Sequence, residues 1–118
     1  DVVRLKGGAW EPWYQYLPPK NTSREEQVNK LLKKNFIVCS TVMVRKNLLA
    51  KTGLFNENYP RHQDYDMWLR MLAHTKFGSI REVLLKYRWH DQNISRSPAI
   101  TPIRDHMIEE AKKRFGRI

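Results

Sequence analysis

Several scarcities in this 118-residue chain exclude whole classes of protein. The only cysteine, Cys39, cannot form an internal disulfide, which excludes a disulfide framework and suits a reducing cytoplasm. No run of about 18 apolar residues is present, so no membrane-spanning helix is predicted. Residues 1–5 lack the pattern of a signal peptide, and no glycine-rich phosphate loop follows a predicted strand. Because Cys39 ends the apolar run 36–39, we expect a buried, unreactive thiol.

Acidic residues are also scarce. Twelve stand against 22 basic ones, giving a net charge of +10. Such a charge suits an anionic partner, whether a nucleotide, a nucleic acid or an acidic membrane surface, and does not choose among them. The length predicts a single domain over residues 1–118. Since the chain opens without Met on a strand-like Val2-Val3, we expect it to be part of something longer.

Hydrophobic periodicity predicts α/β material in the order strand, helix, strand, short helix, helix, strand, helix. The expected strands cover residues 1–6, 36–45, and 77–80 with 83–89; the helices cover 21–35, 46–52, 64–74 and 101–116; loops cover 10–19, 55–60 and 92–99. Ser23 and Glu26 have the spacing of a capping box, and Gly53 stands where a helix would end.

The aromatic and proline-rich segment 10–19 includes Trp10, Trp13, Tyr14 and Tyr16. Aromatic side chains in an irregular loop usually cover the edge of a core, and they also stack on the C–H faces of sugar rings. Both interpretations stay open, and Trp10 is retained as a candidate substrate-binding residue.

Five motifs follow one another between residues 35 and 98. They are an apolar stretch ending in Val44-Arg45-Lys46, the turn Gly53-Leu54-Phe55-Asn56-Glu57, the segment Asp64-Tyr65-Asp66-Met67-Trp68-Leu69-Arg70, the segment Leu84-Leu85-Lys86-Tyr87-Arg88-Trp89-His90, and Asn93-Ile94-Ser95. In this order and spacing they resemble the C-terminal, acceptor-side half of the family 2 inverting glycosyltransferases. The resemblance implies a partial GT-A (nucleotide-diphospho-sugar transferase) fold, with a short mixed sheet and flanking helices.

The resemblance implies that Asp64 is the general base that deprotonates the acceptor hydroxyl. A carboxylate at a helix N-terminus is held in its charged form by the helix dipole and the free N–H groups. The alternative from the helix alone is that Asp64 is simply an N-cap. Asp66 is interpreted as structural or acceptor-contacting, and an ion pair with Arg70 is expected at four-residue spacing.

Other residues take their expected roles from the same resemblance. Substrate contacts are expected from His62, Gln63, Arg70 and Arg88, with Gln63 standing where the family usually has Glu. His90 is the candidate metal ligand, the alternative being an ordinary surface histidine. Trp68 and Leu69 are assigned to the core because they join the apolar face of their helix.

The acidic D-x-D motif by which such enzymes bind metal is not found apart from Asp64-Tyr65-Asp66. The resemblance therefore implies that a divalent cation, Mn or Mg, and a UDP-sugar are bound mostly by a half of the enzyme outside this chain. This chain alone is expected to be inactive. It further implies a saccharide acceptor, a role in polysaccharide biosynthesis, and a cytoplasmic location at the inner face of a membrane. A sheet whose other strands lie outside this chain would expose strand edges and apolar surface, which would favour homo-oligomers.

A basic nucleic-acid-binding module and a non-catalytic interaction module are the alternative functions. The basic residues are scattered over all predicted elements, and no nucleic-acid-binding motif is present, so no nucleic-acid partner is expected.

Overall fold

The computed structural model describes residues 2–6, 9–14, 22–88 and 101–116, with side chains described for 22–88 and 102–116. The elements are β1 (Val2–Lys6), β2 (Ala9–Tyr14), α1 (Arg24–Lys33), a 3-10 turn (Cys39–Thr41), α2 (Lys46–Thr52), α3 (Gln63–Leu72), β3 (Leu85–Arg88) and α4 (Thr101–Arg114).

The strands form a three-stranded mixed sheet in the order β2-β1-β3. β1 pairs antiparallel with β2 and parallel with β3. The expectation of an irregular loop over residues 10–19 is wrong over residues 10–14, because aromatic residues favour strands and Pro12 is tolerated on the edge strand β2. Assignment of the whole to a GT-A fold stays a prediction.

Local signals predicted the helices that the structure describes, although the expected ends of α1, α3 and α4 differ from the observed ones by up to three residues. The capping box at the start of α1 is present: Glu26 N donates to Ser23 Oγ at 3.1 Å, and Ser23 N donates to Glu26 Oε2 at 2.7 Å. α2 ends at Gly53, whose φ of +77° is one that L side chains rarely adopt. α4 begins at Thr101, as expected.

The core surrounds α3, which packs against α1, α2 and α4. Its buried hydrophobic residues are Val28, Leu31, Tyr65, Met67, Trp68, Leu69, Met71, Leu72, Met107 and Ala111. The prediction that Trp68 and Leu69 belong to the core is therefore confirmed. Polar contacts also fasten α3 to α1: the Tyr65 hydroxyl donates to Leu31 O, and Arg24 Nη1 donates to Leu72 O at 3.3 Å and to Ala73 O at 3.0 Å.

The strand expected over residues 36–45 is absent, and a 3-10 turn stands in its middle. Polar side chains there bond to the neighbouring backbone: Asn35 Oδ1 accepts from Ile37 N at 3.1 Å, and Thr41 Oγ1 donates to Val38 O at 2.6 Å. Such local bonds compete with a strand ladder. Cys39 lies in this turn and is exposed, so the expectation of a buried thiol is wrong.

The segment before β3 also differs from expectation, because residues 77–80 form no strand. Phe77 instead exchanges two hydrogen bonds with the buried Gln27 carboxamide, whose Nε2 donates to Phe77 O at 2.7 Å and whose Oε1 accepts from Phe77 N at 2.9 Å. A side chain thus satisfies the backbone groups that a neighbouring strand would have satisfied.

Candidate active site at the start of helix α3

Helix α3 begins from a strained residue. Its N-cap is His62, with φ 61° and ψ 16°, the only non-glycine residue with positive φ in the described chain. A non-glycine residue in this region costs on the order of 1–3 kcal/mol, and such strain tends to collect at functional sites. The His62 carbonyl accepts the first helical bond, from Asp66 N at 2.9 Å.

The imidazole of His62 is half-buried beside the first turn of α3. Its Nε2 is buried and has no hydrogen-bond partner among the described residues. Burial lowers the pKa of His62; the negative charge of Asp64 opposes the shift, while the positive charges of Arg104 and Arg61 add to it. The ring is therefore neutral at neutral pH, with a polar atom available to a ligand.

Asp64 is the second residue of α3 and is half-buried. Its Oδ1 accepts from Tyr65 N at 2.8 Å, so the carboxylate satisfies a free N–H of the first turn without being the N-cap itself. Oδ2 takes no part in that bond. The expectation that the helix dipole stabilises the charged carboxylate stays a prediction.

The charge of Asp64 reaches two neighbours from different parts of the chain. Besides His62, it acts on Cys39: desolvation raises the pKa of that thiol, and the Asp64 carboxylate raises it further. The 3-10 turn therefore lies beside the start of α3. A raised thiol pKa disfavours the thiolate, which argues against Cys39 as a nucleophile.

Gln63, the first residue of α3, is exposed next to Asp64. Its carboxamide offers both a donor and an acceptor to a ligand that reaches the helix end. The predicted candidates His62, Gln63 and Asp64 therefore occupy three consecutive positions at one helix terminus.

Arg70, near the C-terminal end of α3, bonds to α3 itself and to the segment at the end of α2. Its Nε donates to Asp66 Oδ2 at 2.9 Å, which confirms the expected ion pair. Its Nη1 donates to Thr52 O at 2.6 Å and its Nη2 to Leu54 O at 2.8 Å. We call this set the Arg70 clamp; it joins α3 to the end of α2. The substrate contact expected of Arg70 stays a prediction.

Trp68 lies one turn after Asp64 on α3 and is 3% exposed. Its ring meets the ring of Phe55 edge to face, with centroids 6.4 Å apart and planes at 76°. Trp68 Nε1 is buried and has no hydrogen-bond partner among the described residues.

The remaining predicted residues lie on the sheet or outside the described residues. Trp10 on β2 and Arg88 on β3 both stand opposite Leu5 of β1, in one row across the sheet. At about 4.8 Å between strands, their backbones are roughly 10 Å apart. His90, the candidate metal ligand, and Ser95 lie outside the described residues.

Sequence reasoning missed three residues that interact with α3 or with its N-cap. Cys39 is 25 positions away from Asp64, and no pattern links it to α3. Arg104 lies on α4 and acts electrostatically on both His62 and Tyr65. The sequence pattern places Phe55 only in a turn motif. An aromatic residue after Gly53 in a polar loop is a signal that could have indicated a packing or binding role for Phe55.

No group of three or more His, Cys, Asp or Glu side chains is placed to hold a metal ion within the described residues. None of the described helices has both the length and the apolar character needed to cross a membrane.

Two curated proteins are similar in sequence. An uncharacterized glycosyltransferase of Methanocaldococcus jannaschii is 32% identical over 96 residues, which are 80% of this chain and 29% of that protein. An uncharacterized glycosyltransferase of Rickettsia typhi is 37% identical over 51 residues, 43% of this chain and 16% of that protein. The chain thus spans less than a third of the length of either relative. No protein-family model matches it, and no solved structure matches it at a significant level.

These comparisons support a glycosyltransferase relationship. Both relatives are named glycosyltransferases, which favours the transferase over the nucleic-acid-binding alternative.

Proposed function

We propose that this chain forms the acceptor-activating part of an inverting glycosyltransferase of family 2, with a GT-A fold. Asp64 removes the proton from a hydroxyl of a carbohydrate acceptor. The resulting oxygen nucleophile attacks the anomeric carbon of a nucleotide-activated sugar, the glycosidic bond forms, and the bond to the nucleotide diphosphate breaks. A single displacement of this kind inverts the anomeric configuration.

The observation that carries this proposal is the placement of Asp64. Its carboxylate stands on the first turn of α3, a helix that the core surrounds, with one oxygen bonded to Tyr65 N. The bond orients the carboxylate, and the first turn of a helix is a position that suits the charged carboxylate a general base requires.

The neighbours of Asp64 suit the binding of substrates. The neutral His62 ring has an unpartnered Nε2, and the exposed Gln63 carboxamide can both donate and accept, so both suit acceptor hydroxyls. Arg104 and Arg61 add positive charge within electrostatic reach of His62, which favours an approaching nucleotide diphosphate. In this proposal Arg70, Arg88 and Trp10 are further substrate-binding residues.

The rest of the proposal concerns the whole protein. A UDP-sugar and a divalent cation, Mn or Mg, are bound mainly by a part outside these residues, and His90 contributes a ligand. The enzyme acts in polysaccharide biosynthesis on the cytoplasmic face of a membrane. The chain by itself is inactive.

The test replaces Asp64 by Asn in the protein expressed from its whole gene. We expect kcat to fall roughly 10²–10⁴-fold, with the affinity for the nucleotide sugar unchanged, because only the proton acceptor is lost. Asp105→Asn is the matched control, since it makes the same chemical change at an exposed carboxylate on α4 and should leave turnover unchanged. Equal turnover in the Asp64→Asn variant and the wild type would refute the assignment of the base.

A further inference from the structure

Phe55 is the only exposed aromatic side chain among the residues whose side chains are described. It is 47% exposed and follows Gly53 and Leu54 in the loop between α2 and α3. Nothing in the proposed mechanism uses it. An exposed phenylalanine is ordinary by itself, so its significance depends on how it is held and what lies beside it.

The structure holds Phe55 from two sides. The Arg70 clamp fixes the backbone immediately before it, because Arg70 Nη2 donates to Leu54 O at 2.8 Å. The buried Trp68 ring fixes its side chain through the edge-to-face contact at 6.4 Å. A ring held this way loses little conformational entropy when a ligand covers it, which is the condition for an effective binding platform.

The position of Trp68 brings this platform close to Asp64. The two residues are four positions apart on α3, so they lie on the same side of the helix with a rise of about 6 Å. Side chains on a helix lean towards its N-terminus, which directs the Trp68 side chain towards the turn that contains Asp64. Because Phe55 contacts the Trp68 ring, we expect it to lie on the side of α3 from which an acceptor would reach the carboxylate.

The surroundings of Phe55 suit a sugar more than a protein core. The exposed Glu57 and Asn58 follow it in the loop, and Asn56 Oδ1 accepts from Asn58 N at 3.0 Å. An exposed flat apolar face in a loop that also carries carboxylate and amide groups suits a pyranose ring, which has a C–H face and a rim of hydroxyls. The fully buried centre of a protein interface is depleted in such charged groups.

We propose that Phe55 is the platform for the acceptor sugar: the C–H face of a pyranose rests on its ring while a hydroxyl is presented to Asp64. This inference rests on the proposed function and adds to it the residue that selects the acceptor. It identifies the acceptor class as pyranosides with an uninterrupted C–H face.

The experiment compares Phe55→Ala, Phe55→Leu and Phe55→Tyr in the protein expressed from its whole gene. Transfer from UDP-sugars to a panel of methyl pyranosides gives KM for the acceptor and for the donor separately. Covering one ring face removes enough apolar area for a roughly five- to tenfold effect, so Phe55→Ala should raise acceptor KM by that factor and leave donor KM unchanged. Phe55→Tyr, which keeps the flat face, should restore the wild-type acceptor KM.

Leu54→Ala is the matched control, because Leu54 is the adjacent apolar residue and is 73% exposed. It should leave acceptor KM unchanged. If Leu54→Ala and Phe55→Ala raise acceptor KM equally, or if both leave it unchanged while lowering thermal stability, the loop contacts another part of the protein and the inference is overturned.

Two further measurements keep the outcome decisive. If the alanine variant does not fold, Phe55→Leu decides, because it retains apolar volume against Trp68 but has no flat face: a raised acceptor KM supports the platform, and an unchanged one overturns it. Saturation-transfer NMR of the same methyl pyranosides with the Asp64→Asn variant measures binding without turnover. A signal there that Phe55→Leu abolishes supports the platform, and no signal from any pyranoside overturns it.

The failure of this inference is distinguishable from failure of the proposed function. Normal turnover in Asp64→Asn sinks the proposed function. Loss of turnover in Asp64→Asn together with normal acceptor KM in the Phe55 variants sinks only the platform.

Discussion

Replacing Arg70 by Ala should be among the most destabilising single changes in the described part of the molecule. The change removes three hydrogen bonds, to Asp66 Oδ2, Thr52 O and Leu54 O. It also leaves Asp66, which is 6% exposed, as a buried carboxylate without its cation.

The magnitude follows from that burial. The Arg70 and Asp66 side chains are 17% and 9% exposed, so water screens the pair weakly. Removing one partner of a buried ion pair costs about 3–5 kcal/mol, mostly because the other charge is left unpaired. Since a domain is stable by only about 5–15 kcal/mol, Arg70→Ala should bring the protein close to unfolding at 37 °C.

Urea unfolding, followed by far-UV circular dichroism, measures the effect. Arg70→Lys should lose roughly half as much, since an ammonium group can pair with Asp66 but cannot also reach two carbonyls in the geometry of a guanidinium. Lys112→Ala is the control: its ion pair with Glu109 at 2.8 Å is 40% and 62% exposed and should contribute nothing measurable.

A double-mutant cycle with Asp66→Ala separates the ion pair from the carbonyl bonds. We expect the double variant to be more stable than the sum of the two single losses predicts, because no charge is then left buried. An Arg70→Ala variant that loses less than about 1 kcal/mol would show that the clamp is screened by water and would refute the reasoning.

Two smaller perturbations test the ends of helices. Ser23→Ala should lower the free energy of unfolding by about 1 kcal/mol in urea, because Glu26 N loses its acceptor. Ser23→Asp can still cap the helix and should cause no such loss. Equal losses in the two variants would contradict the capping role of Ser23. Gly53→Ala should lower the free energy of unfolding by on the order of 1–3 kcal/mol, because φ +77° with ψ 175° is a backbone conformation that favours glycine. The loss comes from the backbone and not from a clash, since the new Cβ would lie at an ordinary 3.5 Å from Arg70 Nη1. Gly78→Ala is the control in the same urea unfolding experiments, because φ of Gly78 is not positive and no atom lies within 4 Å of the added Cβ. It should leave the free energy of unfolding unchanged or slightly raised.

The helices were predictable because their signals are local. The capping box at Ser23, the glycine at position 53 and the apolar face around Trp68 each depend on residues within one or two turns. The errors lie in segments whose backbone conformation is decided by non-local contacts or by side-chain hydrogen bonds. Residues 36–45 are apolar enough for a strand, but Asn35 and Thr41 turn the backbone instead, which also exposes Cys39.

The candidate site divides in the same way. A sequence pattern could predict that Asp64 stands on the first turn of a helix, because that is a matter of neighbours along the chain. It could not predict the left-handed backbone of His62 or the unpartnered Nε2, which arise from packing around the start of α3.

The same distinction applies to Phe55. It belongs to the turn that resembles the family motif, yet only the Trp68 contact and the Arg70 clamp relate it to Asp64. The Arg70 clamp therefore connects the stability of the fold to the geometry of the site. A variant such as Arg70→Lys should raise acceptor KM as well as lower stability, because the loop that carries Phe55 is released, and it should leave donor KM unchanged.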